Sequence, residues 1–228
     1  MAADPPGRTE HKSASRNPAD WIDGFLFVGN HPILDLLNTR PIIDERPTEL
    51  LPDYLALERW LIASGTVTSS RIKSRLKSWR NSPQAEAFRR QLLTFREHLR
   101  NAILRIESGS APTDEFVKDL NARLLRHPLR TALRRVDGRF VREPVVDPRE
   151  PADLWAPILN AAGELLSDSN TTRIRRCEGC ILHFIDTSKK GSRRWCSMNI
   201  CGNKVKVAAY QRRKRERPKR NATRSKPS

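Results

Sequence analysis

The chain has 228 residues, enough for one domain of ordinary size and a small module, with 43 Lys and Arg against 26 Asp and Glu. Its formal net charge of +17 and a hydrophobic content of only 37% are unusual for a soluble metabolic enzyme and indicate that part of the chain is solvated. No apolar run approaches the length that spans a bilayer, so we expect a cytoplasmic protein without membrane contact.

The first predicted elements are short. Residues 1–20 are polar and rich in proline, which predicts a disordered lead-in. An apolar run at residues 25–28 predicts a strand. The next segment, residues 31–38, predicts a short helix whose first helical residue is Pro32.

Helical signals dominate the middle of the chain. Apolar residues at helical spacing predict helices within residues 52–65 and 69–79, and another within residues 113–125. The clearest pattern lies at residues 83–107, where Ser82 can cap the first turn and an apolar stripe continues to the end. This segment predicts the longest helix of the protein.

The sequence period changes after residue 130. Residues 131–136 and 139–146 flank the dipeptide Asp137-Gly138, which favours a type I′ turn and therefore predicts a β-hairpin. Residues 151–167 predict a last helix, which completes the N-terminal body of the chain.

All four cysteines lie in one short segment beyond a predicted linker at residues 168–172. They are spaced as Cys177-x2-Cys180 and Cys196-x4-Cys201, with fifteen residues between the pairs. Two residues between ligands form a knuckle that can grip one tetrahedral ion, and fifteen residues suffice for a hairpin that returns to it. The spacing predicts one structural Zn²⁺ on four thiolates, a set that leaves no position for catalytic water.

The residues around the cysteines predict the fold of this module. Residues 181–186 and 193–196 predict the two strands of a hairpin, and residues 205–215 predict a helix after the last ligand. The expected fold class is α+β: a mainly helical N-terminal domain at residues 21–168 with a β-hairpin, followed by a small treble-clef-like zinc finger at residues 173–215.

Other uses of the cysteines fit less well. The spacing matches neither ferredoxin pattern of an iron–sulfur cluster, and disulfides or a redox pair are disfavoured in a reducing compartment. His183 is a further candidate ligand. Its place on the predicted strand favours instead an exposed imidazole, or one that hydrogen-bonds to a metal-binding residue without binding the metal itself.

These residues resemble the CGNR zinc-finger family of bacterial regulators. The matching motif comprises, in order and spacing, Cys177-x2-Cys180, Phe184-Ile-Asp-Thr-Ser188, Arg193-Arg-Trp-Cys-Ser-Met198 and Cys201-Gly-Asn-Lys204. Lys204 stands where the family usually has Arg, which keeps the charge and loses a bidentate donor. The segment Leu34-Asp-Leu-Leu-Asn-Thr-Arg40 resembles the Leu-Asp-Phe-Val-Asn-Thr element that begins the N-terminal ABATE domain of that family. The resemblance implies a stress-responsive transcription regulator, in which a sensing domain precedes a zinc-dependent DNA-binding finger.

Positive charge is concentrated in the last quarter of the chain. Residues 171–228 contain 18 Lys and Arg and only three acids, a net charge of +15. A solvated basic surface would explain a modest excess, but this density repels itself unless a polyanion neutralises it, which favours a nucleic-acid partner. The candidate contacts are Arg193, Arg194, Lys204, Lys206, Arg212, Arg213, Lys214 and Arg215. Residues 216–228 predict a disordered basic tail.

The body offers one candidate ligand site. Asp35, Asn38 and Arg40 could hold a small-molecule effector through directional hydrogen bonds, although helix capping and ion pairing explain the same residues more simply. No Ser/His/Asp set, P-loop or dinucleotide fingerprint is present. We therefore expect a protein that is not an enzyme.

Two functions within nucleic-acid biology fit these observations. The first is a zinc-dependent DNA-binding regulator whose N-terminal domain senses a ligand or forms a homodimer. The second is an RNA- or ribosome-associated zinc ribbon, in which Trp195, Phe184 and Tyr210 stack on unpaired bases. A third hypothesis, an enzyme with its active site in the N-terminal body and with the finger only as an anchor, fits the observations least well.

Overall fold

The computed structural model describes residues 21–43, 45–202 and Val207. Within this part of the chain, six α-helices and four two-stranded antiparallel hairpins form the fold. The α+β class and the mainly helical character of the N-terminal domain are confirmed. The predicted lead-in, the predicted basic tail and, apart from Val207, the helix predicted at residues 205–215 lie outside the described residues.

The chain enters the fold through a hairpin and a buried helix. Strands β1 (Trp21–Ile22) and β2 (Phe25–Leu26) pair, so the predicted first strand is one half of a hairpin. Helix α1 (Pro32–Leu37) begins as predicted, because Nδ1 of His31 accepts a hydrogen bond of 3.2 Å from the backbone N–H of Ile33. The isoleucine and the three leucines of α1 are buried, which makes it a core helix.

A small hairpin and two helices follow α1. Strands β3 (Ile42–Ile43) and β4 (Arg46–Pro47) form a hairpin that the sequence did not predict. Helix α2 (Tyr54–Ala63) begins after Asp53, whose carboxylate accepts a hydrogen bond of 2.8 Å from a backbone N–H of the first turn. Helix α3 (Ser70–Ser78) is predominantly basic on its exposed side.

The long helix α4 (Pro83–Glu107) is the centre of the fold and has the predicted bounds. One face of α4 is buried along its length, as the periodicity predicted; the buried side chains include Phe88, Leu92, Phe95, Leu99 and Ile103. Helix α5 (Asp114–Arg126) returns along α4 and is followed by strands β5 (Thr131–Val136) and β6 (Arg139–Pro144). The turn residues Asp137 and Gly138 have φ values of 49° and 79°, as a type I′ turn requires.

The last helix of the body closes the core. Helix α6 (Trp155–Ser167) follows a 3₁₀ turn at Pro151–Leu154, and Trp155 packs edge-on against Phe88 and Phe95 with centroid distances of 5.3 and 5.5 Å. Pro157 lies in the first turn of α6, where a missing backbone N–H removes no helical hydrogen bond. A second 3₁₀ turn, Ser169–Arg173, leads from α6 towards the cysteines.

None of the described helices is both long enough and apolar enough to cross a membrane. Helix α4 has the length, at 25 residues, but its exposed side carries several arginine and glutamate side chains.

Candidate metal centre

The four predicted cysteine ligands converge. All four Sγ atoms lie within 4.8 Å of one another, with Cys196 Sγ at 3.7 Å from Cys180 Sγ and at 3.8 Å from Cys201 Sγ. A tetrahedral ion with Zn–S bonds of about 2.3 Å holds its sulfurs about 3.8 Å apart. The donor set is therefore able to hold one zinc ion, and its four soft ligands fill a tetrahedral shell.

A pair of short strands positions the first two cysteines. Strands β7 (Ile174–Arg176) and β8 (His183–Ile185) are antiparallel, and the knuckle lies between them. The backbone N–H of Cys177 donates to the carbonyl of Leu182 over 2.8 Å, which closes the knuckle. The backbone N–H of Cys196 donates to Cys177 Sγ over 3.2 Å. The segment that carries the third ligand therefore also stabilises negative charge on the sulfur of the first ligand.

The hairpin predicted within the finger was wrong in its second strand. Strand β8 pairs with β7, and residues 193–196 form no strand. The buried carboxylate of Asp186 holds this return segment instead, since it accepts hydrogen bonds from the backbone N–H groups of Arg193 (2.8 Å) and Ser188 (2.9 Å). A side chain thus replaces the backbone ladder, which a pattern of apolar residues cannot reveal.

The apolar surroundings of the cysteines come partly from the body. Cys177, Cys196 and Cys201 are buried together with Leu182 and Phe184 of the finger and with Leu26 and Val28 of the first hairpin region. In the opposite direction, Ile174 of β7 is buried in the core of the body. The two predicted units therefore share packed side chains across their boundary.

The thiols influence one another strongly. The hydrogen bond that Cys177 receives from the Cys180 thiol lowers the pKa of Cys177, and the same bond raises the pKa of Cys180 to about 12. Burial raises the pKa of Cys201. Four thiols at this separation cannot all ionise unless a cation lies among them, and a divalent ion such as Zn²⁺ supplies that charge.

His183 lies apart from the metal centre. It is buried, and its Nδ1 is 2.8 Å from Oε1 of Glu107 at the end of α4. The prediction of an exposed or ligand-supporting imidazole was wrong, because alternate side chains of β8 face opposite ways. Phe184 faces the cysteines, whereas His183 and Ile185 face the body.

Asn38, a candidate ligand-binding residue, joins α1 to the finger. Its Nδ2 donates to the carbonyl of His183 and its Oδ1 accepts from the His183 N–H, both over 2.9 Å. The neighbouring loop adds two more bonds of 2.9 Å: the Ile185 N–H donates to the Gly29 carbonyl, and Asn30 Nδ2 donates to the Ile185 carbonyl. The edge of β8 opposite β7 is therefore hydrogen-bonded to the body.

The other two candidate ligand-binding residues also have partners within the protein. Asp35 Oδ1 accepts a hydrogen bond of 2.8 Å from the backbone N–H of Gly29. A Cβ at Gly29 would lie 2.7 Å from Leu34 Cβ, so only glycine fits this close approach. Arg40 lies 3.6 Å from Glu97 in a half-exposed ion pair.

A cleft that the sequence did not indicate lies between α4, α5 and the start of α6. It has a volume of about 490 Å³. Its lining includes polar residues, residues of both charges and the Trp155 ring: Gln91, Thr94, Asp119, Arg123, Arg126, His127 and Trp155. The Arg123 guanidinium lies 5.5 Å from the Trp155 ring centroid. These residues come from three separate segments, so no local pattern could identify them.

Two of the candidate nucleic-acid contacts lie on the return segment. Arg193 is directed inward: its guanidinium lies 4.6 Å over the Phe184 ring and donates to the carbonyls of Trp195 and Cys196, and burial lowers its pKa. Arg194 is exposed and forms an ion pair with Glu178. Arg193 thus stabilises the fold around the cysteines, and Arg194 faces solvent.

Three further cations of the finger are exposed and were missed by the sequence analysis. Arg176 ends β7, and Lys189 and Lys190 lie in the turn after β8. None of the three has an acidic partner within salt-bridge distance among the described residues. Lys204, Lys206, Arg212, Arg213, Lys214 and Arg215 lie outside the described residues.

Comparisons with known proteins agree with this arrangement. Residues 30–169 match the ABATE family, which is described as "Putative stress-induced transcription regulator". Residues 173–214 match the CGNR zinc finger. No curated protein gives a significant match. The ABATE match covers more than half of the chain, so the protein belongs to the ABATE family and carries a CGNR zinc finger after its ABATE domain.

Proposed function

We propose that this protein is a zinc-dependent, DNA-binding transcription regulator. The observation that carries the proposal is the closed four-sulfur site at the start of the most cationic part of the chain. The family description of a transcription regulator supports the same function.

The charge of the finger favours a polyanionic partner. Four thiolates and one Zn²⁺ together contribute a charge of −2, so the +15 of residues 171–228 falls only to about +13 when the site is loaded. Cations at this density bind a phosphate backbone by displacing its counterions. The exposed cations Arg176, Lys189 and Lys190 extend this surface onto the described part of the finger.

In this proposal zinc has a structural role. A closed tetrahedral shell excludes a catalytic water, and the finger, as far as residue 202, buries few apolar side chains of its own. Metal binding would therefore supply the folding energy of the finger and fix the positions of the cations that follow it.

A sensing role for the ABATE domain is supported by the cleft beside Trp155. Its volume of about 490 Å³ falls within the range of small-molecule pockets. Asp119 neutralises Arg123 in this cleft, whereas Arg126 has no acidic partner within salt-bridge distance among the described residues and favours an anionic ligand.

Duplex DNA is favoured over single-stranded RNA by the position of Phe184. The RNA alternative needs aromatic side chains that stack on unpaired bases. Phe184 is fully buried and covered by Arg193, so it is not available for stacking. Trp195 is half-buried, and the Arg194 guanidinium lies 5.4 Å over its ring. Tyr210, the third aromatic residue of that alternative, lies outside the described residues.

The test combines metal analysis with DNA binding by the full-length protein. We expect one zinc per chain, and an affinity for a 24-base-pair duplex that falls steeply with salt, by about 0.9 log units per log unit of salt for each phosphate contacted. The substitution Cys196→Ser should abolish zinc retention and most of the affinity while the helices of the body persist by circular dichroism.

A matched pair of double variants locates the binding surface. Lys189→Gln with Lys190→Gln should lower the affinity and the salt slope. Arg71→Gln with Lys77→Gln, which removes the same charge from exposed positions on α3, should change them much less. Full binding by Cys196→Ser, or stronger competition by single-stranded RNA than by duplex DNA at equal salt, would contradict the proposal.

A further inference from the structure

One stretch of the ABATE domain carries an unusual charge. Residues 123–142 contain seven arginines and a single acid, Asp137, although residues 1–170 as a whole are nearly neutral. The arginines are Arg123, Arg126, Arg130, Arg134, Arg135, Arg139 and Arg142. Most of this stretch is the hairpin of β5 and β6, which we call the β5–β6 arm (residues 131–144).

The β5–β6 arm is exposed on both faces and pairs with no third strand among the described residues. Leu133 and Phe140 are 69% and 66% exposed, which is unusual for large apolar side chains. An isolated two-stranded hairpin is marginally stable in water, and its open edges and apolar side chains favour a partner. The arm therefore has the properties of a binding element.

The register places cations and apolar groups together on one face. Leu133 is opposite Arg142, and Arg135 is opposite Phe140, so these four side chains share a face. The Arg135 guanidinium lies 5.3 Å over the Phe140 ring. No acidic side chain lies within salt-bridge distance of Arg130, Arg139 or Arg142 in the described part of the chain, whereas Arg134 pairs with Glu143.

We propose that the β5–β6 arm is a second DNA contact of this protein, which lies in a groove of the duplex and neutralises phosphates with Arg135 and Arg142. The proposal rests on the DNA-binding function proposed above. A two-stranded ribbon fits a major groove about 12 Å wide, and Phe140 can contact the sugars or base edges there. Neutralised arginines would also remove the repulsion within the arm.

Pairing of the arm with a second copy of the chain explains these charges less well. A two-fold symmetric interface places a surface patch against its own copy. Arg135 and Arg142 on one chain would then face the same arginines on the other, which is unfavourable without a counter-charge. A polyanion satisfies both the cations and the open edges.

The arm and the finger lie beside different positions of the long helix α4. The end of α5, from which the arm leaves, lines the same cleft as Gln91, whereas the finger contacts Glu107 through His183. The sixteen residue steps of α4 from Gln91 to Glu107 rise about 24 Å. This distance equals about seven base-pair steps of 3.4 Å, so one duplex of two turns can reach both contacts.

The experiment measures fluorescence anisotropy of labelled duplexes with the zinc-loaded full chain. We compare a 24-base-pair duplex with a short duplex, a hairpin whose 5-base-pair stem spans about 14 Å and is too short to reach the arm and the finger together. For Arg135→Gln with Arg142→Gln, the salt slope on the long duplex should fall by about 1.8, and the affinity at 100 mM salt should fall by about tenfold or more. The short duplex should show a change of less than about threefold, because it binds through the finger alone.

The control is Arg71→Gln with Lys77→Gln on α3. A loss on the long duplex that is specific to the arm variant supports the proposal. Equal losses for both variants would show that the effect comes from long-range charge and would overturn the proposal. No loss for the arm variant would overturn the proposal as well. If sedimentation shows a dimer that the arm variant converts to a monomer, the arm is a self-association element and the proposal is wrong. If the unaltered protein binds no duplex, the proposed function is wrong as well. If the unaltered protein binds and the arm variant binds equally well, only the proposal for the arm is wrong.

Discussion

The body and the finger of this protein are held together by different forces. The body buries a continuous set of apolar side chains around α1 and α4, among them Trp60, Phe95 and Leu99. Among the described residues, the buried set around the metal centre contains three cysteines and two other side chains of the finger, Leu182 and Phe184. Burial of apolar surface stabilises the first unit, whereas the second depends on its metal and on groups that the body provides.

This difference shows why the boundary between the units is so densely bonded. A small module with little core of its own gains stability when its exposed strand edge and one face pack on a larger neighbour. The edge of β8 is bonded to Gly29, Asn30 and Asn38 for this reason. Each of the following predictions tests how far the two units differ or how firmly they are joined.

The largest effect is expected from removal of zinc. Structural zinc binds with an apparent free energy of about 10–16 kcal/mol, and a chelator should therefore unfold the finger. The body should keep most of its helical circular dichroism signal and melt a few degrees lower, since Leu26 and Val28 lose their cover. Added zinc should reverse both changes. Loss of all helical signal with the metal would show that the body depends on zinc too.

The next effect concerns a charged pair within the apolar body. The Arg96 side chain is buried and donates to Glu49 over 2.9 and 2.5 Å and to Thr39 Oγ1 over 2.8 Å. Arg96→Met leaves the Glu49 carboxylate without its main partner and should lower the free energy of unfolding by about 3–5 kcal/mol in urea titrations. The double variant Arg96→Met, Glu49→Leu should recover much of the loss. A single variant as stable as the parent would show that apolar burial alone holds this region.

A smaller effect is expected at the boundary itself. Asn38→Ala leaves the buried N–H and carbonyl of His183 unpaired, which should cost about 2–4 kcal/mol. Hydrogen exchange at His183 should accelerate while exchange at Leu99 in α4 stays slow. Asn30→Ala, which removes an exposed bond to the same strand, should cost less than about 1 kcal/mol and serves as the control. Equal exchange rates in the two variants would argue against a special role for Asn38.

The smallest effect is a dependence of stability on acid pH. Burial acts to raise the pKa of Glu49, but the hydrogen bonds from Arg96 outweigh it and the pKa is lowered. A carboxylate with a lowered pKa stabilises the fold above its unfolded pKa of about 4.3 and loses that contribution as the pH falls through the folded value. Glu49→Gln should therefore flatten the decrease of stability below about pH 5, by less than about 2 kcal/mol. An unchanged acid profile would exclude this carboxylate as a source of the decrease.

Locally encoded features could be predicted from the sequence. The bounds of α4 followed from Ser82, Pro83 and the apolar stripe, and the turn of the β5–β6 arm followed from Asp137 and Gly138. The convergence of the cysteines followed from their spacing, because a metal imposes the geometry. In each of these cases the deciding residues are close in sequence or bind one ion.

Features that depend on distant partners could not be predicted. Asn38 bonds to a strand 145 residues away, and nothing in its neighbourhood distinguishes it from an ordinary helix cap. The partners of Asp186 are close in sequence, but a carboxylate that replaces a backbone ladder leaves no trace in the apolar pattern from which strands are predicted. His183 faces Glu107 because β8 lies on the body, which the sequence does not indicate.

The bonding of β8 on both edges also bears on protein engineering. A chimaera that exchanged fingers between relatives at the apparent linker would separate this strand from Gly29, Asn30 and Asn38, which lie at the other end of the sequence. The transplanted finger would need a recipient with matching groups at those three positions. Donor and recipient should therefore be chosen by the compatibility of that loop and helix, and the swap is better designed as a two-piece graft than as a simple fusion.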